Sequence, residues 1–330
     1  MKALRLTSHV KDAEAIKFEM ADLEKPVPNQ NECLIKVVAS GINPSDALAT
    51  LGYFQHASLP RIPGRDFSGT VVTGPKDLIG QNVWGTGGAA GISYDGTQAE
   101  YIKLPLTAIT PIPNNMDVIT AGAQLLPYVT AYYSLVKRAA IQANETVVVV
   151  GALGQVGQAA MSICHWKKCK TIALIRGKDE LAQAKKLGWN TVNSEDTELA
   201  EKILAANAGQ KVNVILNSVG TIYWTDFMKS LAEFGRIITI GARENNRETM
   251  VNLFELYRAN QELIGINSVS LDFTESAELL NELREGFEAK QLTPLATDAA
   301  LTFSPEQAHI AYQTVLKGAS GGKRVVIKFD

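Results

Sequence analysis

The stretch Val147-Val148-Val149-Val150-Gly151-Ala152-Leu153-Gly154-Gln155-Val156-Gly157 decides the fold. Four consecutive valines make an apolar, β-branched run, and a glycine turn then opens into helix-forming sequence. The glycines are spaced G-x-x-G-x-x-G, with Leu153 where the commoner G-x-G-x-x-G pattern has its middle glycine. After a parallel strand, such a turn lets the backbone approach a pyrophosphate. The amino end of the next helix then turns amides and a positive dipole end toward the anion. The spacing alone is a weak signal, and a tight strand-to-helix turn without a ligand reads the same way. With the strand before it and the helix after it, Gly151, Leu153, Gly154, Gln155, Val156 and Gly157 are expected to line a dinucleotide.

Downstream, strands and helices alternate. Strand 171–175 leads to helix 179–187, with Asp179 as its expected cap. Val192 lies in a short strand before helix 196–207, strand 212–217 precedes a helix near 223–232, and strand 236–240 follows Gly235. Strand 262–268 and helix 275–288 complete the set. Strands separated by helices of this length predict crossover units and a doubly wound parallel sheet. Upstream, residues 116–139 read as helices, with a break at Pro127. The first 115 or so residues differ in texture: short β-branched runs (Cys33–Ala39, Thr70–Thr73, Gly80–Gly85, Ala99–Ile102) are punctuated by Pro and Gly. The run Lys323–Phe329 reads as a strand that returns to this β-rich part. The predicted division is a discontinuous, mostly-β domain of residues 1–118 with 293–330, and a dinucleotide-binding domain of residues 119–292.

The chain has 330 residues, 46% of them hydrophobic and 20% charged, enough for a sizeable core in a soluble protein. A net charge of −2 and scattered Lys and Arg argue against a nucleic-acid partner. No apolar run reaches the ~20 residues that span a bilayer, so no membrane association is expected. Met1–Leu6 is charged too early for a signal peptide and reads as a first strand. Cys33, Cys164 and Cys169 have neither disulfide nor metal spacing, which fits a reducing, cytoplasmic setting.

The second strand of the alternation bears on cofactor choice. NAD enzymes usually end it with Asp or Glu on the ribose 2′-hydroxyl. Here Ile175 holds that place, and Arg176 and Lys178 follow. Two cations at this point suit a 2′-phosphate, so the expected cofactor is NADP(H), although a solvated basic loop would have the same composition.

A β domain, a mid-chain dinucleotide domain and a returning carboxyl end together resemble the medium-chain dehydrogenase/reductase superfamily. Gly41–Asp46 looks like its early active-site turn and Pro63–Gly69 like its second. Thr130–Leu135 is similar to the helix before its dinucleotide strand, and Lys317–Lys323 to its closing segment. The resemblance implies a mostly-β GroES-like catalytic domain plus a Rossmann cofactor domain. Zinc-dependent members carry Cys where Asn43 stands, His where Arg65 stands and a third ligand near Leu126. An amide, a guanidinium and an alkyl chain are poor zinc ligands, and no cluster of four cysteines lies between Trp84 and Pro105. No metal is therefore expected, and the branch resembled is that of the quinone oxidoreductases.

Without a Lewis acid, hydride transfer is easier to a conjugated acceptor than to a simple ketone. The expected activity is NADPH-dependent reduction of a quinone or α,β-unsaturated carbonyl. Alternatives are an enoyl-thioester reductase and a low-turnover NADPH-binding protein of the crystallin or RNA-binding type. Asn43 is a candidate to contact the cofactor ribose or the acceptor oxygen, or else stabilises the turn before Pro44. Tyr53 is a candidate proton donor, one residue before the position the enoyl-thioester reductases use, or else a packing aromatic. His56 is an acid or a solvated loop residue, and Arg65 is expected to pair with Asp66 or Asp46. The resemblance places Thr130 at the nicotinamide end, Asn217, Ser218 and Val219 along the ribose, and Gly241, Ala242, Asn267 and Ser268 at the nicotinamide amide. Arg324 lies where the closing strand would near the cofactor, or is an exposed strand cation. The segment Glu262–Leu271 corresponds to the superfamily's intersubunit edge strand, so a homodimer is expected.

Overall fold

The computed structural model describes residues 1–242 and 246–329 and divides into two units, Met1–Val129 with Ser268–Asp330, and Thr130–Asn267. The first unit opens with β1 (Lys2–Arg5) antiparallel to β2 (Glu19–Asp22). Its hub is the eleven-residue β3 (Glu32–Ile42), whose apolar residues Ile35 and Val37 are fully buried. The short helix α1 (Pro44–Thr50) follows, with proline in its first turn, where the missing N–H has no partner to lose. Next come β4 (Asp66–Thr73), β5 (Asn82–Thr86), β6 (Tyr101–Pro105) and β7 (Thr110–Pro111). β3 pairs antiparallel with β4 and β6, and β5 joins β4 to β7. Helix α2 (Val118–Gly122) is capped by Asp117, which accepts the Thr120 amide at 2.9 Å, and α3 (Leu125–Tyr132) follows. The expected break at Pro127 does not occur. Proline sits in the first turn of α3, where amides lack intrahelical partners, and the break falls at Ala123–Gln124 instead.

The second unit begins at Thr130. After one π-helical stretch (Tyr133–Arg138) come β8 (Thr146–Val150), α4 (Gln155–Trp166), β9 (Lys170–Ile175) and α5 (Lys178–Lys186). Then follow β10 (Thr191–Asn193), α6 (Leu199–Ala206), β11 (Val212–Asn217), α7 (Trp224–Ser230), β12 (Leu231–Thr239), α8 (Leu253–Arg258) and β13 (Glu262–Gly265). The sheet runs β10-β9-β8-β11-β12-β13, all parallel. Strand order reverses between β8 and β11, the place where open α/β sheets hold their ligands. Val147 to Val150 are each at most 3% exposed, and burying each valine contributes roughly 1.5–3 kcal/mol. The predicted crossovers are all present, with shifted ends. Asp179 is not the cap of α5: Gly177 is, at φ 91°, and Asp179 lies inside the first turn. The last strand stops at Gly265, before the expected Ser268.

The chain then returns to the first unit through α9 (Phe273–Glu288), β14 (Thr302–Phe303), α10 (Ala308–Leu316) and β15 (Val325–Lys328). β15 lies antiparallel to β3, as expected of the closing strand. The compact units part at Val129 and at Ser268, later and earlier in the chain than the expected divisions at 118/119 and 292/293. The reason is aromatic packing on α9. The Phe287 ring sits 4.8 Å from Tyr128 and 6.0 Å from Trp84, and Asn115 Nδ2 donates to Phe287 O at 2.8 Å. Gln124 adds a two-way amide contact with Leu295, at 3.1 and 2.6 Å.

Candidate functional site

In the second unit the site is built on the turn between β8 and α4. The Gly151 N–H donates to Leu174 O at 3.0 Å, tying the turn to β9, and Gly154 N–H closes it onto Gly151 O at 2.9 Å. Gly154 is the N-cap of α4 and brings no side chain, so no side-chain oxygen caps the first turn. That leaves the amino end of a twelve-residue helix beside a turn with partly exposed Leu153, Gln155 and Val156. Gly157 is required by space: a Cβ there would lie 2.3 Å from Gly151 O and 2.7 Å from Ala152 Cα, both backbone atoms.

Around this turn the other expected cofactor residues of the second unit take different parts. Ser218 Oγ donates to Val150 O at 2.9 Å, fastening the end of β11 to the end of β8. Asn217 is fully buried, and its amide is committed to its own turn, donating to Gly220 O at 2.8 Å and accepting the Val219 N–H at 3.1 Å. The side chain expected along the ribose thus shapes the turn that presents partly exposed Ser218 and Val219. Gly241 is partly exposed and Ala242 and Asn267 are exposed at the ends of β12 and β13. Thr130 is 7% exposed, and its carbonyl accepts from Ser134 Oγ at 2.7 Å. Ile175 is buried, Arg176 and Lys178 are exposed, and Arg176 Nε lies 3.5 Å from Glu195 Oε1. Ser268 falls in the first unit.

The first unit has a polar centre of its own. Asn43, just before α1, is 2% exposed. Its Nδ2 donates to Asp46 Oδ2 at 2.9 Å and to Asp66 Oδ2 at 3.1 Å, and its Oδ1 accepts from Arg324 Nη2 at 3.0 Å. The carboxamide is thus held at both ends inside the unit. Asn43 is also the N-cap of α1 and forms a capping box with Asp46, whose carboxylate accepts the Asn43 N–H at 2.9 Å, so the expected turn-stabilising role is met, and the same side chain bridges two acids and an arginine. Arg65 pairs with Asp46 at 2.6 Å, one of the two expected partners, and also meets Ser45 Oγ. Asp66 pairs instead with Arg324 Nη2 at 3.1 Å, both groups at 0% exposure. Arg324 is therefore not the exposed strand cation that was the other expectation for it. It stands just before β15, and its guanidinium also donates to Ala123 O at 2.5 Å. Burial pushes the Asp66 carboxyl up to about 6, against the pull of Arg324, and burial pulls the Arg324 guanidinium below its ordinary value.

Tyr53 is 55% exposed in the loop after α1, and His56 is exposed in the same loop. The loop is fastened by Arg61, which sequence reasoning missed. Its buried guanidinium donates to Gly91 O at 2.7 Å, Ser58 O at 2.7 Å and Ala49 O at 2.8 Å. A single arginine before Ile62-Pro63 reads as a loop cation, and nothing local marks it as an anchor.

Residues 29–114 match the family described as alcohol dehydrogenase GroES-like domain, and residues 156–283 the family described as zinc-binding dehydrogenase. The chain is 32% identical over 324 residues to a zinc-type alcohol dehydrogenase-like protein of Schizosaccharomyces pombe, covering 97% of this chain and 95% of that one. It is 24% identical to the human quinone oxidoreductase, covering 95% and 94% of the two chains. Among solved structures, an alcohol dehydrogenase superfamily protein from Novosphingobium aromaticivorans superposes with a TM-score of 0.86 at 24% identity over the whole of both chains. The GroES-like β unit, the doubly wound parallel sheet and a full-length relative at this identity agree: the chain is an oxidoreductase fold of the medium-chain dehydrogenase/reductase superfamily and belongs to its quinone oxidoreductase-like branch.

Proposed function

We propose that the chain is an NADPH-dependent reductase that delivers hydride to a quinone or an α,β-unsaturated carbonyl without a catalytic zinc. The observation that carries this reading is the pair of buried ion pairs in the first unit. The acids that could serve a metal there, Asp46 and Asp66, are each engaged by a guanidinium, from Arg65 and Arg324. Asn43, Arg65 and Leu126, which stand where the zinc branch holds its ligands, do not suit the ion. The zinc named in the family description therefore does not fit these residues.

The reduced nicotinamide, when bound, supplies the hydride. The chain's own part is to bind and orient. The turn Gly151–Gly157 and the amino end of α4 receive the pyrophosphate, and Arg176 and Lys178 receive the 2′-phosphate. Tyr53, exposed on a loop anchored by Arg61, is the group within this unit suited to give a proton to the reduced acceptor. The test is consumption of NADPH and of NADH with a quinone, an enone and an enoyl thioester in parallel. Turnover with NADPH and the quinone or the enone, at least about 10-fold more efficient than with NADH, is expected. Turnover with none of the three acceptors, or a preference for NADH, sinks the reading.

The same reading includes a cytoplasmic homodimer. β13 is the outer strand of its sheet, and exposed apolar side chains cluster in sequence beside it: Leu253, Phe254, Tyr257 and Leu263. An edge strand with apolar neighbours favours pairing with a second copy. Light scattering coupled to size exclusion should give twice the chain mass, and a monomer at micromolar concentration would refute the dimer.

A further inference from the structure

The turn that would receive a 2′-phosphate is crowded with acid. Arg176, Gly177 and Lys178 follow β9, and Gly177 caps α5. Arg176 already has a partner, since its Nε lies 3.5 Å from Glu195 Oε1. The Glu180 carboxylate folds back from the first turn of α5, so close that a Cβ on Gly177 would lie 2.7 Å from its Oε2. Glu195 is held in place by its backbone. Its N–H donates to Asn193 Oδ1 at 3.2 Å, and the preceding Ser194 N–H donates to Ile175 O at 2.8 Å, at the end of β9. Ser194 Oγ is fixed in turn by the Tyr223 hydroxyl at 3.0 Å. The acid is thus carried to the arginine by the β9–β10 pairing, not by a wandering loop.

A carboxylate at this place has two uses. It could accept a hydrogen bond from an unmodified ribose 2′-hydroxyl, or it could neutralise Arg176 until a phosphate replaces it. The oxygen already on the guanidinium favours the second. We propose that Glu195 is a cofactor-discrimination residue that competes with the 2′-phosphate for Arg176 and thereby moderates the affinity for NADP(H) while leaving NAD(H) unaffected. This inference rests on the NADP(H) reading above. Binding of the phosphate must break the Arg176–Glu195 pair and bring a dianion toward a second anion. The pair is exposed, at 72% and 49% for the two side chains, so its loss is a modest penalty, and the repulsion adds to it.

The test titrates NADPH and NADH into the full chain and into the variants Glu195→Gln, Arg176→Ala and the double variant, reading dissociation constants by calorimetry. Glu195→Gln should tighten NADPH about 2- to 5-fold and leave NADH unchanged. Arg176→Ala should weaken NADPH about 10-fold or more, and in its background Glu195→Gln should lose most of its effect, because both act through one contact. Weaker NADH binding in Glu195→Gln would assign the acid to the ribose and overturn the proposal. An unchanged NADPH affinity in Glu195→Gln, with Arg176→Ala still damaging, overturns the role of Glu195 alone. An Arg176→Ala variant that binds NADPH normally overturns the phosphate-site reading itself.

Discussion

Replacing Arg324 with alanine is expected to lower the stability of the protein by about 3–5 kcal/mol, because it strands the Asp66 carboxylate in a site with no exposure. For a folding unit of this size that corresponds to a fall in Tm of roughly 6–20 °C. The loss reports an unpaired buried charge rather than a strong bond. The double variant Asp66→Leu with Arg324→Met should therefore recover most of the stability, since a buried pair often exchanges with apolar residues at little net loss. The same centre predicts a pH dependence. Asp66 sits at about 6 in the folded chain against an ordinary 3.8, so between these values the folded state holds the proton more tightly than the unfolded state. Its contribution to stability is greatest at the acid end, falls as pH rises through this window, and levels off above it. Asp66→Asn should flatten that slope while lowering stability overall. Chemical denaturation across the window measures both effects, and an Arg324→Ala protein as stable as the parent would dismiss the account.

Gly157→Val should abolish useful nucleotide binding, weakening NADPH by about 100-fold or more, and should destabilise the second unit by about 1–3 kcal/mol. The Cβ would overlap Gly151 O and Ala152 Cα, and neither can give way as a side chain would. Relief requires α4 to move off the end of β8, which pulls the helix amino end from the turn proposed to hold the phosphates. Gly154→Ala is the graded control. Its Cβ would stand 3.2 Å from Gly151 O, and its φ of −68° suits any residue, so a change of about 10-fold or less is expected. Normal cofactor binding by Gly157→Val, measured by titration, would refute the assignment of this turn.

Much of the second unit was legible because its signals are local. A four-valine strand, a glycine turn and repeated crossovers are all written within about 15 residues of one another. The allegiance of α9 was not. Its buried Leu279, Leu283 and Phe287 announce an apolar face, but periodicity does not say which core that face enters. Pro127 misled because proline breaks a helix interior yet is harmless in a first turn. Asp179 misled because an acid suits both the cap and the first turn, while Gly177 at φ 91° was the residue the backbone needed. At the candidate site, the Arg65–Asp46 pair was foreseen from types 19 positions apart. Arg324 was not, because its partner Asp66 lies 258 positions away and a cation leading into a strand reads as solvated.

That separation also orders events during synthesis. The second unit is one continuous segment and holds all six strands of its sheet, so it can close as soon as it leaves the ribosome. The first unit cannot. β3 shares one edge between β6, against Glu32–Lys36, and β15, against Ala39–Ile42, and the second neighbour is made almost last. Until then the nascent chain carries an incomplete β edge and a buried-to-be carboxylate with no cation. The part of the molecule translated first is thus the last to mature, and a chain stopped short of Arg324 would hold a finished nucleotide fold beside an unfinished partner.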